Sequence, residues 1–534
     1  MPLAVQAILP LTVLLVGAVL VRARPRHPDS GAIACVATAI AAVITLVELL
    51  RLSPGEHVDV PYVTTFPYAD LVVRLDGLSL AFATVTLTTA ALLMLVRLQD
   101  RRDRRDPWLA WLLTSAAACG LILAANLLLL YILLQVLTLA WTGALDERAP
   151  RRRAVRLTLQ IADIGLLLAA ASAIQSVGTS SFSGVPSDTF GVATFWLMLL
   201  PVIVRIAILG WGSLTPVATV TLEPAVAWLA PAAYILLRLL ALMGGRLPDR
   251  PTAVILFVGA AAMGIGFASL AFWRVRATAL MPMLLAAQAA LALALSAGSE
   301  PLLTIASTWL WLLLIPLAGL ISVRMVKGSA AELPSLVHLA MVPASLAFVG
   351  IWLGGLTLNA RGLVAGMIPV AIAIVICLLA ATSAARLPER LRLDPPTCWA
   401  AALMLIAAFP ILAMERLVIP AASTVRLVPS GTLSVNPLGI STNFGVYPAL
   451  LVSLAGLLAI ALVLWLVRER RVVIPPPRPF PRVGGRWGPR ITPAFTEASQ
   501  RWAGLLGRRT VLRSSPFVLW GIFAVVAAVA VIRP

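Results

Sequence analysis

The sequence predicts an all-α integral membrane protein, a polytopic helical bundle of about sixteen transmembrane helices at about 20 residues each. Of its 534 residues, 60% are hydrophobic and only 12% are charged, about half the charged share of a soluble domain. The apolar residues form continuous runs rather than alternating patterns, which excludes an outer-membrane β-barrel. This composition leaves little mass outside the bilayer, and it excludes a soluble enzyme, a disordered chain and a coiled coil.

Sixteen apolar runs can be placed as spans along the chain. Residues 51–76, between the second and third spans, alternate enough to predict a short β-hairpin. The stretch GWGSLTP after the seventh span predicts a break in the helix before Glu223 and Pro224. The spans are predicted at 3–21, 31–50, 77–96, 108–124, 126–145, 155–175, 190–210, 224–243, 252–272, 278–297, 301–323, 335–356, 363–384, 397–414, 445–467 and 515–532.

The arginine and lysine residues predict the orientation of these spans. The loops after odd-numbered spans carry 31 of the 41 Lys and Arg residues, the loops after even-numbered spans and the C-terminal tail carry 8, and Arg205 and Arg238 lie within spans. Because positive charge is retained on the cytoplasmic side, the odd-numbered loops are predicted to be cytoplasmic. The chain is therefore expected in a bacterial inner (plasma) membrane, as a multi-pass protein with both termini outside the cytoplasm.

Four motifs occur in order along the chain. They are LDGLSL at 75–80, ANLLLLYILLQVLTLAW at 125–141, IADIGLLL at 161–168, and LLPVIVRIAILGWGSLTP at 199–216 continued by EPAVAWLAPAAYILLR at 223–238. In this order they resemble the antiporter-like membrane subunits of complex I. The same superfamily includes the Mrp cation antiporters, the membrane arms of energy-converting hydrogenases and the membrane partner of a bacterial inorganic-carbon uptake complex.

The resemblance covers most of the chain and implies its domain organisation. Members of this family contain two inverted five-helix repeats, each with a broken helix, and discontinuous helices are a common way to build an ion site inside a membrane. The implied units are the first three spans with the hairpin (1–107), the first repeat (108–250), the second repeat (251–395), spans fourteen and fifteen (396–467), a basic Pro-rich cytoplasmic linker with a surface helix (468–514) and the last span (515–534).

The charged residues of the family's proton path are replaced in this chain. The family has a glutamate on its fifth helix and a lysine on its seventh, and the matching residues here are Gln135 and Arg205. Arg274 and Arg276 stand where the family has an acid and a lysine before the tenth helix. Glutamine neither takes up nor releases a proton at physiological pH, and arginine remains charged at any physiological pH. The resemblance therefore implies a proton path that is altered or lost.

Four acids within or near the spans could serve instead. Asp163 is the strongest candidate because its IADIG setting matches the family; the alternative is an acid at a cytoplasmic turn that pairs with Arg156. Glu223 is either a gate acid at the helix break or an acid at a helix start, where the helix dipole favours it. Glu300 and Glu415 are the other two, and Glu300 is expected in an exposed loop.

Two arginines lie within predicted spans. Arg205 is expected either to form a structural ion pair with Asp163 or Glu223, or to act in gating. Arg238 lies near the end of its span, where a long basic side chain commonly extends to the interface. The ion-path candidates are therefore Asp163, Arg205, Glu223, Gln135 and Arg276.

No catalytic centre is evident in the sequence. The four cysteines form no CxxC motif, and three histidines supply no ligand pattern for haem, an iron–sulfur cluster or a metal. We therefore expect no cofactor in this chain, and any redox chemistry would belong to partner subunits. The predicted function is a membrane subunit of a multi-subunit proton- or cation-translocating complex related to NADH:quinone oxidoreductase. Its predicted partners are the lipid bilayer and other membrane and peripheral subunits, without nucleic acid.

Two other functions are compatible with the sequence. The first is the proton-conducting membrane partner of an inorganic-carbon uptake complex, which would act with a large zinc-binding soluble protein. The second is a stand-alone secondary cation or proton carrier, which would need a polar binding site near the middle of the membrane.

Overall fold

The computed structural model describes mainly the first 297 residues. The predicted spans eleven to sixteen and the segment 468–514 lie almost wholly outside the described residues. Those residues are 3–23, 29–53, 55–63, 70–98, 108–144, 149–187, 189–212, 224–244, 247–273, 277–297, 351–352, 370–371, 373–374, 417–423, 434–436, 439–442, 445–448, 451–452, 454–455, 458 and 462.

Ten helices follow one another in the described part of the chain up to residue 297. They coincide with the first ten predicted spans to within a few residues, with two exceptions. α6 begins six residues earlier, in an arginine-rich turn, and α8 begins six residues later than its predicted span, after the π-helical turn Pro224–Leu229. The helices are α1 (Leu3–Ala23), α2 (Ser30–Arg51), α3 (Gly77–Leu98), α4 (Trp108–Ile122), α5 (Leu127–Ala144), α6 (Ala149–Val177), α7 (Val192–Gly212), α8 (Ala230–Leu242), α9 (Arg250–Trp273) and α10 (Ala277–Leu295).

The helices form a membrane bundle. Among the described residues, six helices are long and apolar enough to cross a bilayer. Consecutive helices pack against each other from α1 to α8, and α9 packs against α10, with further packing of α1 on α4 and of α7 on α10. Small residues allow close approach, as membrane helices require: a Cβ on Gly17 would lie 2.7 Å from the Cβ of Ala37. The chain is therefore a multi-pass, all-α membrane protein, as predicted.

A β-hairpin covers one end of the bundle. Strands β1 (His57–Val63) and β2 (Leu71–Asp76) pair antiparallel, which confirms the predicted hairpin. The amide of Arg74 donates to the carbonyl of Leu123, and the amide of Leu127 donates to that of Ser180. The hairpin and the connections after α4 and α6 thus form one layer, which we call the hairpin side. Their common position agrees with the alternation of loops that the charge count predicts.

A second small sheet lies near the start of the fifteenth predicted span. Strands β3 (Ser434–Asn436), β4 (Gly439–Thr442) and β5 (Gly445–Tyr447) pair antiparallel in this order, and a short helix α11 (Ile419–Ser423) before them packs against α3. The prediction placed the start of a span at residue 445, where the structure has β5. The stretch GVYPALL is apolar, and a short apolar run does not distinguish a strand from a helix. The strand was therefore predicted as part of a span.

Candidate functional site

A carboxylate lies buried within a membrane-spanning helix. Asp163 is the middle residue of the 29-residue helix α6 and lies inside its apolar segment Val155–Val177, about 12 Å from the start and about 21 Å from the end of that segment at about 1.5 Å per residue. Its side chain is fully buried, and so is that of Arg205 on the neighbouring helix α7. Charged groups at such depth are costly unless they are paired, and they commonly mark an ion path or a proton relay.

Asp163 and Arg205 form a bidentate ion pair, which we call the central pair. Nη1 of Arg205 donates to Oδ1 of Asp163 at 2.6 Å, and Nη2 donates to Oδ2 at 3.1 Å. The α5 side chains of Gln135 and Thr138 each donate to the same Oδ2 at 3.4 Å. The carboxylate therefore receives four hydrogen bonds from two neighbouring helices, which offset the loss of water around a buried charge.

Local features of α6 and α7 explain how the central pair forms. Pro201 in α7 has no amide hydrogen, so the carbonyl of Leu197 loses its helical hydrogen bond. Gly165 of α6 packs directly on this carbonyl, and a Cβ at residue 165 would overlap its oxygen. This close approach brings Asp163, two residues before the glycine, within reach of Arg205. The glycine of the IADIG motif is therefore explained by the contact between α6 and α7.

We expect Gly165→Ala to destabilise the protein. The new Cβ would overlap a backbone oxygen, so α6 and α7 must separate, and overpacking of this kind costs about 1–3 kcal/mol. The thermal unfolding midpoint of the purified protein in detergent measures this effect. Gly259→Ala on α9 is the matched control, because a Cβ there would meet nothing within 4 Å. Equal midpoints for the two variants would contradict the proposed role of the glycine.

The structure brings three of the five predicted ion-path residues together. Gln135, Asp163 and Arg205 are in direct contact, and of the two partners expected for Arg205 the structure shows Asp163. Gln135 serves as a hydrogen-bond donor to the acid; a glutamate there would place two carboxylates beside one arginine. Glu223 and Arg276 lie outside the described residues, as do most of the predicted helix break, Glu300 and Glu415.

A second group of buried charges lies at the hairpin side, and it is not among the sites predicted from the sequence. Arg238 of α8 is only 3% exposed, so the expected extension to the interface is wrong. Its Nη1 and Nη2 donate to the two carboxylate oxygens of Asp76, at 2.8 and 3.1 Å, and its guanidinium also lies over the ring of Phe182 at 5.1 Å. Arginine is buried here because every face of the guanidinium finds a partner.

The second group continues into the hairpin. Nε of Arg74 donates to Asp76 at 3.0 Å, and its Nη1 donates to Asp59 at 3.4 Å. We call Asp59, Arg74, Asp76 and Arg238 the hairpin ion network. Asp76 also accepts the amide hydrogen of Ser79 at 2.7 Å and so caps α3. Two acids and two arginines balance each other, and they join the hairpin, α3 and α8.

The charge of Asp76 is stable against changes in pH. Burial acts to raise its pKa, but the charge and hydrogen bonds of Arg238, the charge of Arg74 and the Ser79 amide lower it more, so the pKa lies below the usual range of an aspartate. Asp76 therefore remains ionised at physiological pH. The hairpin ion network is a structural clamp rather than a proton carrier.

One signal in the sequence could have revealed the hairpin ion network. Alternation of the spans places the start of the third and the end of the eighth on the same side of the membrane. Asp76 begins one of these spans and Arg238 lies near the end of the other, so the two side chains have matching depth. A lone acid and a lone base at equal depth are expected to pair.

Comparison with solved structures identifies the fold. This chain is similar to a chain of the Mrp complex from Dietzia sp. DQ12-45-1b, with a TM-score of 0.70 and 17% identity, over 100% of this chain and 63% of that one. The chain has the antiporter-like fold. It is also similar to a chain of the membrane-bound sulfane sulfur reductase, an archaeal respiratory membrane complex, with a TM-score of 0.68 and 16% identity, over 98% and 96% of the two chains.

The antiporter-like fold agrees with the resemblance that the four sequence motifs predicted. At these identities the similarity concerns the fold alone, and this chain spans 63% of the length of the Mrp chain. No protein-family model and no curated protein matches the sequence.

Proposed function

We propose that this protein is a membrane subunit of a multi-subunit proton- or cation-translocating complex, in which Asp163 is the titrating group of the first repeat. The observation that carries the proposal is the central pair, a carboxylate and a guanidinium held at the middle of α6 and α7 in an antiporter-like bundle. Charged residues at this depth are a usual sign of ion translocation. The proposal includes sixteen spans, two inverted repeats at 108–250 and 251–395, and both termini outside the cytoplasm of a bacterium.

The central pair limits the chemistry that this site can perform. Arg205 retains its charge at any physiological pH, so a proton can be exchanged only at Asp163. Protonation of Asp163 would remove the charge that holds Arg205 and would leave the guanidinium to find another anion or water. We therefore propose that the proton path of the first repeat is altered, with Asp163 as its titrating group in place of the family's glutamate and lysine.

Purification of the full chain from its native membrane in mild detergent, followed by mass spectrometry of the proteins that accompany it, tests the proposal. We expect subunits of a quinone-reductase or hydrogenase type of complex. A large zinc-binding soluble partner would instead support the inorganic-carbon uptake function. A chain that purifies alone would overturn the proposal and favour a stand-alone carrier.

The double substitution Gln135→Glu with Arg205→Lys tests how much of the standard proton path the fold tolerates. It restores the residue types that the family has at these two positions. Because both changes are close in size to the original side chains, we expect the complex to assemble as before. The amount of complex recovered on native gels measures assembly, and a loss of assembly would count against an antiporter-type site in this repeat.

A further inference from the structure

Several buried polar atoms around the central pair have no partner among the described residues. Nε of Arg205 and Oε1 of Gln135 are two of them. Three more lie on the side of the pair away from the hairpin: Nε1 of Trp141, Nε2 of Gln160 and Nε1 of Trp228. An unpaired buried polar atom costs about 1–3 kcal/mol, so a state of this region in which water reaches these atoms would recover part of that free energy.

Two of these atoms belong to a pair of packed indoles. Trp141 near the end of α5 and Trp228 before α8 pack edge to face, with 5.1 Å between ring centroids and 69° between ring planes. They belong to a small apolar cluster with Leu159 and Ala227, and Trp228 also packs against the main core. Trp141 lies about 9 Å along α5 from Gln135, at about 1.5 Å per residue. The indoles thus lie between the central pair and the end of the bundle opposite the hairpin.

Trp228 lies in a helical segment of unusual geometry. Residues Pro224–Leu229 form a π-helical turn that leads into α8. Pro231, in the first turn of α8, has no amide hydrogen to donate to the carbonyl of Ala227, and this missing bond favours the wider turn. Conversion of a π turn to an α-helix shifts the register by one residue, a rotation of about 100°, and π turns are frequent at functional sites.

The C-terminal end of α8 is fixed, and this determines which part of the helix moves when its register changes. Arg238 is clamped to Asp76 in the hairpin ion network, about 15 Å along the helix from Trp228. A change of register would therefore move Trp228 rather than the body of α8. Such a movement would separate the two indoles and give their N–H groups access to water.

We propose that Trp141 and Trp228 form a gate between the central pair and the end of the bundle opposite the hairpin, and that the π turn Pro224–Leu229 is its hinge. This inference rests on the proposed function, because a gate regulates an ion path only if Asp163 exchanges an ion. It adds a closed and an open state to that site. The structure shows the closed state, in which the indoles are in contact.

Cysteine accessibility in the full chain tests the gate without a measurement of transport. Thr138→Cys is the reporter, since Thr138 contacts Asp163; the four native cysteines are replaced by alanine. The reagent is methanethiosulfonate ethyltrimethylammonium, whose permanent charge keeps it from crossing the bilayer, and it is added from each side of sealed membrane vesicles. We expect the reporter to be modified slowly when the gate is intact. With Trp228→Ala, the rate of modification from the side opposite the hairpin should increase about tenfold or more, because minor open states are about 0.1–10% populated.

Three control variants make the result specific. Trp111→Ala removes a tryptophan from another edge-to-face pair, with Trp108 at 5.7 Å, and should leave the reporter unchanged. Trp228→Phe keeps an aromatic ring in the gate and should also leave it closed. Ile161→Cys, on the exposed apolar face of α6, should not react, because thiol modification requires water.

Each outcome of the accessibility experiment supports or overturns the gate. Equal rates with and without Trp228→Ala, or an equal increase with Trp111→Ala, would overturn it. If Trp228→Ala does not accumulate in the membrane, Trp141→Ala takes its place, with the same expected increase. An increase in accessibility without any transport would support the gate and count against the proposed function. Transport with unchanged accessibility would support the proposed function and overturn the gate.

Discussion

Asp163→Asn is expected to cause a large loss of stability in the described bundle. It leaves the guanidinium of Arg205 buried without a counter-charge, and breaking a buried pair in this way costs about 3–5 kcal/mol. Arg205→Gln should have a similar cost, because it leaves the buried carboxylate alone. The free energy of unfolding in mixed detergent micelles measures both effects.

The double variant Asp163→Asn with Arg205→Gln separates stability from function. With both charges removed, most of the stability should return, since a buried ion pair contributes little more than the neutral residues that replace it. We expect this variant to assemble and to lack ion translocation by the complex, measured as proton or cation uptake into vesicles. A double variant that still translocates ions through the complex would show that the central pair is purely structural.

Asp76→Asn is expected to cause a loss of stability of similar size. Asp76 is the acid that both Arg74 and Arg238 contact, so its neutralisation leaves two buried arginines opposite Asp59 alone. A loss of about 3–5 kcal/mol is expected for an uncompensated buried charge. The hairpin should separate from α8, and faster proteolysis of the hairpin, between β1 and β2, would report this separation.

A surface ion pair provides the control for Asp76. Glu48 and Arg51 lie 3.5 Å apart near the end of α2, and the Arg51 side chain is 64% exposed. Glu48→Gln should therefore cost about 0–1 kcal/mol. If Asp76→Asn costs no more than Glu48→Gln, the hairpin ion network does not hold the hairpin to α8.

The response of the hairpin ion network to pH follows from the lowered pKa of Asp76. A carboxyl whose pKa is lower in the folded state contributes its full stability above its unfolded pKa of about 3.9, and this contribution is lost as the pH falls through the folded value. We therefore expect stability from this network to be constant between about pH 5 and pH 8. Hairpin proteolysis that increases between these values would contradict the assignment of Asp76 as a permanently charged clamp.

The sequence predicted the helices well because charged residues flank most of the apolar runs. The first ten spans and the hairpin coincide with the structure to within a few residues at most ends, since the length of a span and the cost of charge in a bilayer are physical constraints on the chain itself. The sequence also identified Gln135, Asp163 and Arg205 as candidates, because they match the positions of charged residues in the family that the four motifs resemble. It left open whether Arg205 pairs with Asp163 or with Glu223.

The sequence by itself determined a multi-pass helical membrane protein with an acid in α6 and a base in α7. Only the tertiary structure decided the pairing: Gly165 packs on the carbonyl that Pro201 leaves free, and this contact sets the distance between Asp163 and Arg205. Only the structure placed Arg238 on Asp76, which lies 162 residues away along the chain. Helix formation depends on neighbouring residues, whereas the pairing of buried charges depends on which helices pack together and at what depth.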